Sequence, residues 1–199
     1  LASVLIGADG AHSRLRQQFN FPLTQWNYAH TALVATIRTA EPHGNCARQL
    51  FSSEGPLALL PLWEPNLCSI VWSVSLERAR QLMALPEAEF NKALRIAADG
   101  VLGACELVGV RGALPLKARY ARDIIRDGCI LVGDAAHTIH PLAGQGVNLG
   151  FKDVTALCQP IATALQAGRA WDDPALLRDY ERQRRRDNLL MQTAMDGFY

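Results

Sequence analysis

The spacing of apolar positions changes twice along this chain, and each change marks a new architecture. Residues 1–6 form a continuous apolar run that predicts a strand; after a tight turn, the spacing over 13–19 predicts a short helix. From residue 28 the pattern turns strand-like. Residues 31–39 alternate in part and are β-branched, and 47–52 form a shorter strand. Residues 57–63 and 67–75 flank Glu64-Pro65-Asn66, a turn signal that predicts a hairpin. Two helices follow. Ser75 suits the N-cap of a helix over 76–85, and Pro86 suits the first position of a second helix reaching about residue 98, where Asp99-Gly100 ends it. A further strand pair is expected between 104 and 119.

The pattern then changes back. Residues 129–132 are apolar without alternation, as a strand buried on both faces would be. Residues 147–167 read as a long helix stopped by Gly168, with Pro160 expected to kink it or to remove one hydrogen bond. Asp172-Asp173-Pro174 opens a last helix, with Pro174 near its first turn. The fold class is therefore α/β, in its mixed α+β form. One layer is expected over 1–27, a mostly antiparallel sheet inserted over 28–116, and a return of the first layer with C-terminal helices over 117–199.

Composition narrows the class of partner without naming one. A chain of 199 residues can bury a sizeable core as one domain or two small ones. With a net charge of +1, no nucleic-acid partner is implied. The longest apolar runs fall well short of the ~20 residues needed to span a bilayer. Cys46, Cys68, Cys105, Cys129 and Cys158 are widely spaced and form no C-x-x-C pair. They read as reduced, mostly buried thiols of a cytosolic protein, and no metal site is expected.

The chemistry concentrates in residues 130–150. An apolar strand ends in Gly133-Asp134, a loop carries Pro141, and Gly144, Gly146 and Gly150 open a helix. A carboxylate at the carboxyl end of a strand can bind the hydroxyls of a ribose or ribityl chain. A glycine-rich turn into a helix offers unpaired N–H groups and a positive dipole end to an anion or an electron-rich ring. Together they point to a nucleotide cofactor.

The wording of that stretch resembles the second FAD fingerprint of the class A flavoprotein monooxygenases, the aromatic-ring hydroxylases. Residues 5–16, Leu-Ile-Gly-Ala-Asp-Gly-Ala-His-Ser-Arg-Leu-Arg, resemble the same family's Asp-Gly motif, in family order and at about the family's distance. Within the family the likeness is to the ubiquinone-biosynthesis hydroxylases, carried by residues 33–39, 67–73 and 133–151. The resemblance implies a Rossmann-like FAD-binding domain whose inserted sheet covers an aromatic substrate. It implies FAD as cofactor, with NAD(P)H and O2 as co-substrates and hydroxylation of a polyprenylphenol through a flavin hydroperoxide. It also implies a cytoplasmic enzyme peripheral to the inner membrane, in contact with lipid or with partners from ubiquinone biosynthesis.

One family element is absent from the sequence: no G-x-G-x-x-G turn occurs, since Gly144, Gly146 and Gly150 are spaced one residue too long. The expectation is an internal fragment, inactive alone, of a flavoenzyme. Two other classes stay open: a flavoprotein acting otherwise or on another aromatic compound, and a non-catalytic binding or scaffolding module.

Asp134, a carboxylate after a buried strand, is expected to be costly unless it meets hydrogen-bond donors. The resemblance assigns Gly133 and Asp134 to the ribityl or ribose part of FAD; the alternative for Asp134 is a helix cap. Gly144, Gly146, Val147 and Asn148 would turn N–H groups toward the flavin's pyrimidine edge, or serve tight packing, or both. Pro141 would lie beside the ring or stiffen the loop. Asp9 and Gly10 belong with the pyrophosphate region and the NAD(P)H loop. Arg14 and Arg16 would meet phosphate or lie on the helix surface. His137 and His140 are acid–base candidates or plain loop residues. The run Arg182-Gln183-Arg184-Arg185-Arg186 reads as a solvated helical face, or as a contact for anionic lipid or a partner. No catalytic dyad or triad is visible.

Overall fold

The computed structural model describes residues 4–138, 145–170 and 172–196. In chain order the elements are β1 (Leu5–Gly7), α1 (Arg14–Gln18), β2 (Leu23–Thr39), β3 (Arg48–Ser52), β4 (Gly55–Pro61) and β5 (Leu67–Ser75). There follow α2 (Leu76–Ala84), α3 (Glu87–Ala97), β6 (Cys105–Ala121), β7 (Ile125–Arg126) and β8 (Cys129–Leu131). A single 3₁₀ turn over Gly133–Ala135 leads to β9 (His137–Thr138), α4 (Gln145–Gln166) and α5 (Pro174–Asp196). Two compact units result, one from Leu1–Trp26 with Lys117–Tyr199 and one from Asn27–Leu116.

The unit over 27–116 is an antiparallel sheet in the order β3-β4-β5-β2-β6, with two helices on its chain. The hairpin around Glu64-Pro65-Asn66 forms as its turn residues dictate, with the Leu67 N–H donating to the Glu64 carbonyl at 3.0 Å. Ser75 caps α2, its hydroxyl accepting from the Arg78 N–H at 3.2 Å. Pro86 sits one position earlier than expected, at the N-cap of α3. Trp72 and Ile70 from the sheet meet Leu82, Phe90 and Leu94 from the helices in one buried cluster. Each such side chain contributes roughly 1.5–3 kcal/mol by leaving water.

Two expectations fail here. Strand β2 begins at Leu23, not near Thr31, because its first half carries Thr24, Gln25 and Asn27, whose polarity hides the alternation. The strand pair expected over 104–119 is one strand of 17 residues. The strand continues through Gly109, at φ 81°, and through Gly112, which faces Val34 on the neighbouring strand.

In the other unit, β1 pairs in parallel with β8, Leu5 opposite Cys129 and Gly7 opposite Leu131, and β7 joins β8 antiparallel. All three residues of β8 are buried, as its unalternating sequence requires. Strand β9 pairs with the end of β6, Tyr120 opposite His137. Ile130, Leu131, Leu157, Leu177 and Tyr180 share the core, which brings α4 and α5 against the sheet. Helix α4 runs through Pro160 without a break. Pro174 is the first residue of α5, where its missing N–H costs nothing.

Candidate cofactor site

Parallel pairing of β1 and β8 puts the loops that follow them at one end of the sheet, the usual place for a ligand in an α/β layer. The Val132 N–H donates to the Gly7 carbonyl at 3.0 Å and carries the pairing to the edge of both motifs. The loop after β1 is organised by Asp9. Its Oδ2 accepts from the Arg14 N–H at 2.7 Å and the Leu15 N–H at 3.2 Å, two of the orphan donors opening α1. Ser13 caps the same helix through the Arg16 N–H at 2.9 Å. Burial pushes the Asp9 carboxyl up, but the Ser13 hydroxyl and the Leu15 and Arg14 amides outweigh it and the net shift is downward. Gly10 holds φ at 80° in the turn between them.

Arg16 is the buried member of the pair with Arg14, at 5 % exposure. Its Nη1 donates to the Ala135 carbonyl and its Nη2 to the Ala11 carbonyl, each at 2.8 Å. One guanidinium thus ties the loop after β1 to the turn after β8, and both its edges are spent on carbonyls instead of on phosphate. Burial, then the nearby Arg119, lower its pKa, and it remains a cation. Arg14 is exposed and carries no such bond among the described residues.

The turn after β8 departs from expectation in one respect. Asp134 was expected to be a buried carboxylate needing donors; it is exposed in the 3₁₀ turn, and no hydrogen bond occupies its carboxylate among the described residues. Gly133 adopts φ 59° and packs against Gly150 of α4, where an added Cβ would lie 3.8 Å from the Gly150 Cα. Gly146, Val147 and Asn148 lie in the first turn of α4, Val147 and Asn148 exposed and Gly146 half-buried, and a Cβ built on Gly146 meets no atom within 4 Å. An exposed carboxylate and the first turn of a helix fit the ribose or ribityl hydroxyls and electron-rich ring of a flavin nucleotide. Pro141, Gly144 and His140 lie outside the described residues.

Behind this surface is a cluster that the sequence reading missed. Asp153 of α4 is 1 % exposed, and three donors converge on it. Its Oδ2 accepts from the Gly133 N–H at 2.8 Å and from His137 Nε2 at 2.6 Å; its Oδ1 accepts from Arg184 Nε at 2.7 Å. A carboxylate only accepts, so His137 Nε2 carries the proton. Burial would raise the Asp153 pKa, but the bonds from His137, Gly133 and Arg184 overcome it and lower it. Arg184 is 2 % exposed, which corrects the reading of 182–186 as a solvated face; Arg182, Arg185 and Arg186 are exposed. A signal existed. Leu149, Asp153 and Leu157 fall four residues apart, and Leu177, Tyr180 and Arg184 follow helical spacing, so each helix carries a lone charge in its apolar stripe.

Two Gly/Asp turns leaving one end of a parallel strand pair, with a glycine-opened helix packed on the second, define a nucleotide-cofactor-binding α/β unit. A family model described as a FAD binding domain matches residues 2–193, and the chain belongs to this family of FAD-binding domains. It is 40 % identical over 198 residues to the 3-demethoxyubiquinol 3-hydroxylase of Escherichia coli, covering 100 % of this chain and 50 % of that protein. It is 37 % identical over 196 residues to the ubiquinone hydroxylase UbiL of Rhodospirillum rubrum, covering 98 % and 46 %. Among solved structures, PqsL of Pseudomonas aeruginosa superposes with a TM-score of 0.79 at 25 % identity, over 96 % of this chain and 53 % of that one. The chain spans about half the length of the curated relatives it matches. No helix among the described residues is long and apolar enough to cross a membrane.

Proposed function

We propose that this chain supplies the flavin-facing turns and the substrate-covering sheet of a hydroxylase acting on the aromatic ring of a polyprenylphenol in ubiquinone biosynthesis. The observation that carries the reading is 40 % identity, over the whole chain, to a relative that hydroxylates 3-demethoxyubiquinol. In this reading the unit of residues 1–26 and 117–199 holds FAD, and the sheet of 27–116 covers the substrate. FAD, when bound, supplies the redox chemistry by which O2 and NAD(P)H hydroxylate the ring.

The side chains and amides of this chain bind, orient and exclude water. Asp134 accepts hydrogen bonds from the ribityl or ribose hydroxyls. The first-turn N–H groups of Gly146, Val147 and Asn148, with Gly144 ahead of them, face the pyrimidine edge and stabilise negative charge on the reduced ring. Pro141 borders the ring. Asp9 and Gly10 shape the pyrophosphate loop, and exposed Arg14 can meet a phosphate. None of these residues needs to move a proton at the reacting carbon, consistent with the absence of a dyad or triad motif from the sequence.

The test is Asp134→Ala in the gene product that contains these 199 residues. Flavin content after gel filtration and a fluorescence titration should both show weaker FAD retention. Unchanged stoichiometry and affinity would remove Asp134 from the site, and failure of the unmodified protein to retain FAD or to hydroxylate a polyprenylphenol would remove the reading as a whole.

A further inference from the structure

We propose that Arg184 is a positioning residue for the cofactor: with Asp153 it forms a buried clamp that fixes the turn presenting Asp134. The proposal rests on the flavin reading above. Two of the three donors on Asp153, the Gly133 N–H and His137 Nε2, come from residues that bracket Asp134 in the chain. The third, Arg184 Nε, comes from α5, 31 residues beyond Asp153. The carboxylate therefore joins three segments, and the exposed Asp134 is carried on the one that is held at both ends.

Burial alone does not account for the pair. A buried ion pair is weak ground for stability, since apolar side chains of similar volume often serve as well, and Leu177 and Tyr180 already do so on the same face of α5. The pair adds direction. The Arg184 guanidinium is planar and held along two edges, by Asp153 Oδ1 and, through Nη1 at 2.9 Å, by the half-exposed Asp187 Oδ2. With its far side anchored at the surface, the fork fixes Oδ1, and this leaves Oδ2 aimed at Gly133 and His137. Lysine at this position would keep the charge and lose the fork.

The experiment compares Arg184→Met and Arg184→Lys with the unmodified gene product by FAD titration, by amide hydrogen exchange at residues 133–138 and by thermal melting. Leu94→Ala, in the core of the other unit, controls for lost stability. We expect Arg184→Met to weaken FAD binding at least tenfold and to accelerate exchange at 133–138. Arg184→Lys should recover part of both, whereas Leu94→Ala should lower the melting temperature and change neither. Wild-type FAD affinity and wild-type exchange in Arg184→Met, whatever its melting temperature, would overturn the proposal. If Arg184→Met does not fold, His137→Phe serves in its place: faster exchange at 133–138 with weaker FAD binding supports the clamp, and no change in either overturns it. An unmodified protein that binds no FAD would sink the flavin reading, and the exchange data would still decide separately whether the clamp holds the turn.

Discussion

Gly150 faces Gly133 so closely that a Cβ built on Gly150 would stand 3.3 Å from the Gly133 Cα. Helix α4 and the turn after β8 meet backbone to backbone, with no side chain between them. That contact lets the first turn of α4 approach the residue that precedes Asp134. Gly150→Val would push two main chains apart and should destabilise by about 1–3 kcal/mol. Gly133→Ala meets no clash but must hold φ near 59°, which costs an L residue about 1–2 kcal/mol. Denaturant midpoints at constant slope would measure both; an unchanged midpoint for Gly150→Val would mean that α4 shifts without penalty.

Acid stability should depend on Asp153. Its folded pKa lies below the ordinary value of 3.8, because the donors from His137, Gly133 and Arg184 outweigh burial. A depressed carboxyl contributes stability that is fully present above the unfolded pKa and is lost as pH falls through the folded one. The loss should therefore begin near pH 4 and continue below it. Asp153→Asn should remove that share of the acid dependence and break the buried half of the Arg184 pairing, leaving Asp187 at the surface, at a cost of about 3 kcal/mol at neutral pH. Unfolding followed by circular dichroism from pH 7 to pH 2 checks both parts. Parallel acid curves for the two proteins would contradict the assignment.

Arg16 makes a separate prediction, because it spans the two motif loops without touching Asp153. Arg16→Met keeps much of the volume and leaves the Ala11 and Ala135 carbonyls without their charged donor. Hydrogen bonds to charged groups are worth roughly 1.5–3 kcal/mol each, so a loss of at least 2 kcal/mol is expected, with weaker FAD retention. By contrast Arg14→Met, on the exposed face of α1, should cost less than about 0.5 kcal/mol. A titration that finds the Arg14 variant defective in FAD binding at unchanged stability would support its phosphate contact.

How much of this was legible in the sequence depended on whether the decisive interaction was local. Strand β5 and the Ser75 cap were readable because a Glu64-Pro65-Asn66 turn and an N-cap are signals within a few residues. The two motif turns were readable as a resemblance, and the parallel pairing of β1 with β8 then follows from their place in an α/β layer. The first half of β2 was hidden by polar side chains on a half-exposed strand, and β6 by glycines that the strand continues through. Arg16 and Arg184 were misjudged for one reason: an arginine's pattern position shows that it is near the core, whereas only the fold shows which carbonyl or carboxylate receives it. The exposure of Asp134 departs in the opposite direction, since the argument from a buried strand does not extend three residues past its end.

The inserted sheet has its own long-range arginine. Arg111 on β6 donates from Nη1 to the Leu82 carbonyl at 2.7 Å and from Nη2 to the Leu85 carbonyl at 2.8 Å. These carbonyls end α2, where the dipole favours a cation and no intrahelical partner remains. The same guanidinium lies 4.7 Å above the centre of the Phe90 ring on α3, so one side chain fastens both helices to the sheet. Arg111→Met should lose the cap and the ring contact together, about 2–3 kcal/mol, whereas Arg111→Lys should recover only the charge at one carbonyl. Double-mutant cycles with Phe90→Leu separate the two contributions: a coupling of roughly 0.5–1 kcal/mol is expected for the ring. A coupling of zero would leave the carbonyl cap as the whole of the Arg111 effect.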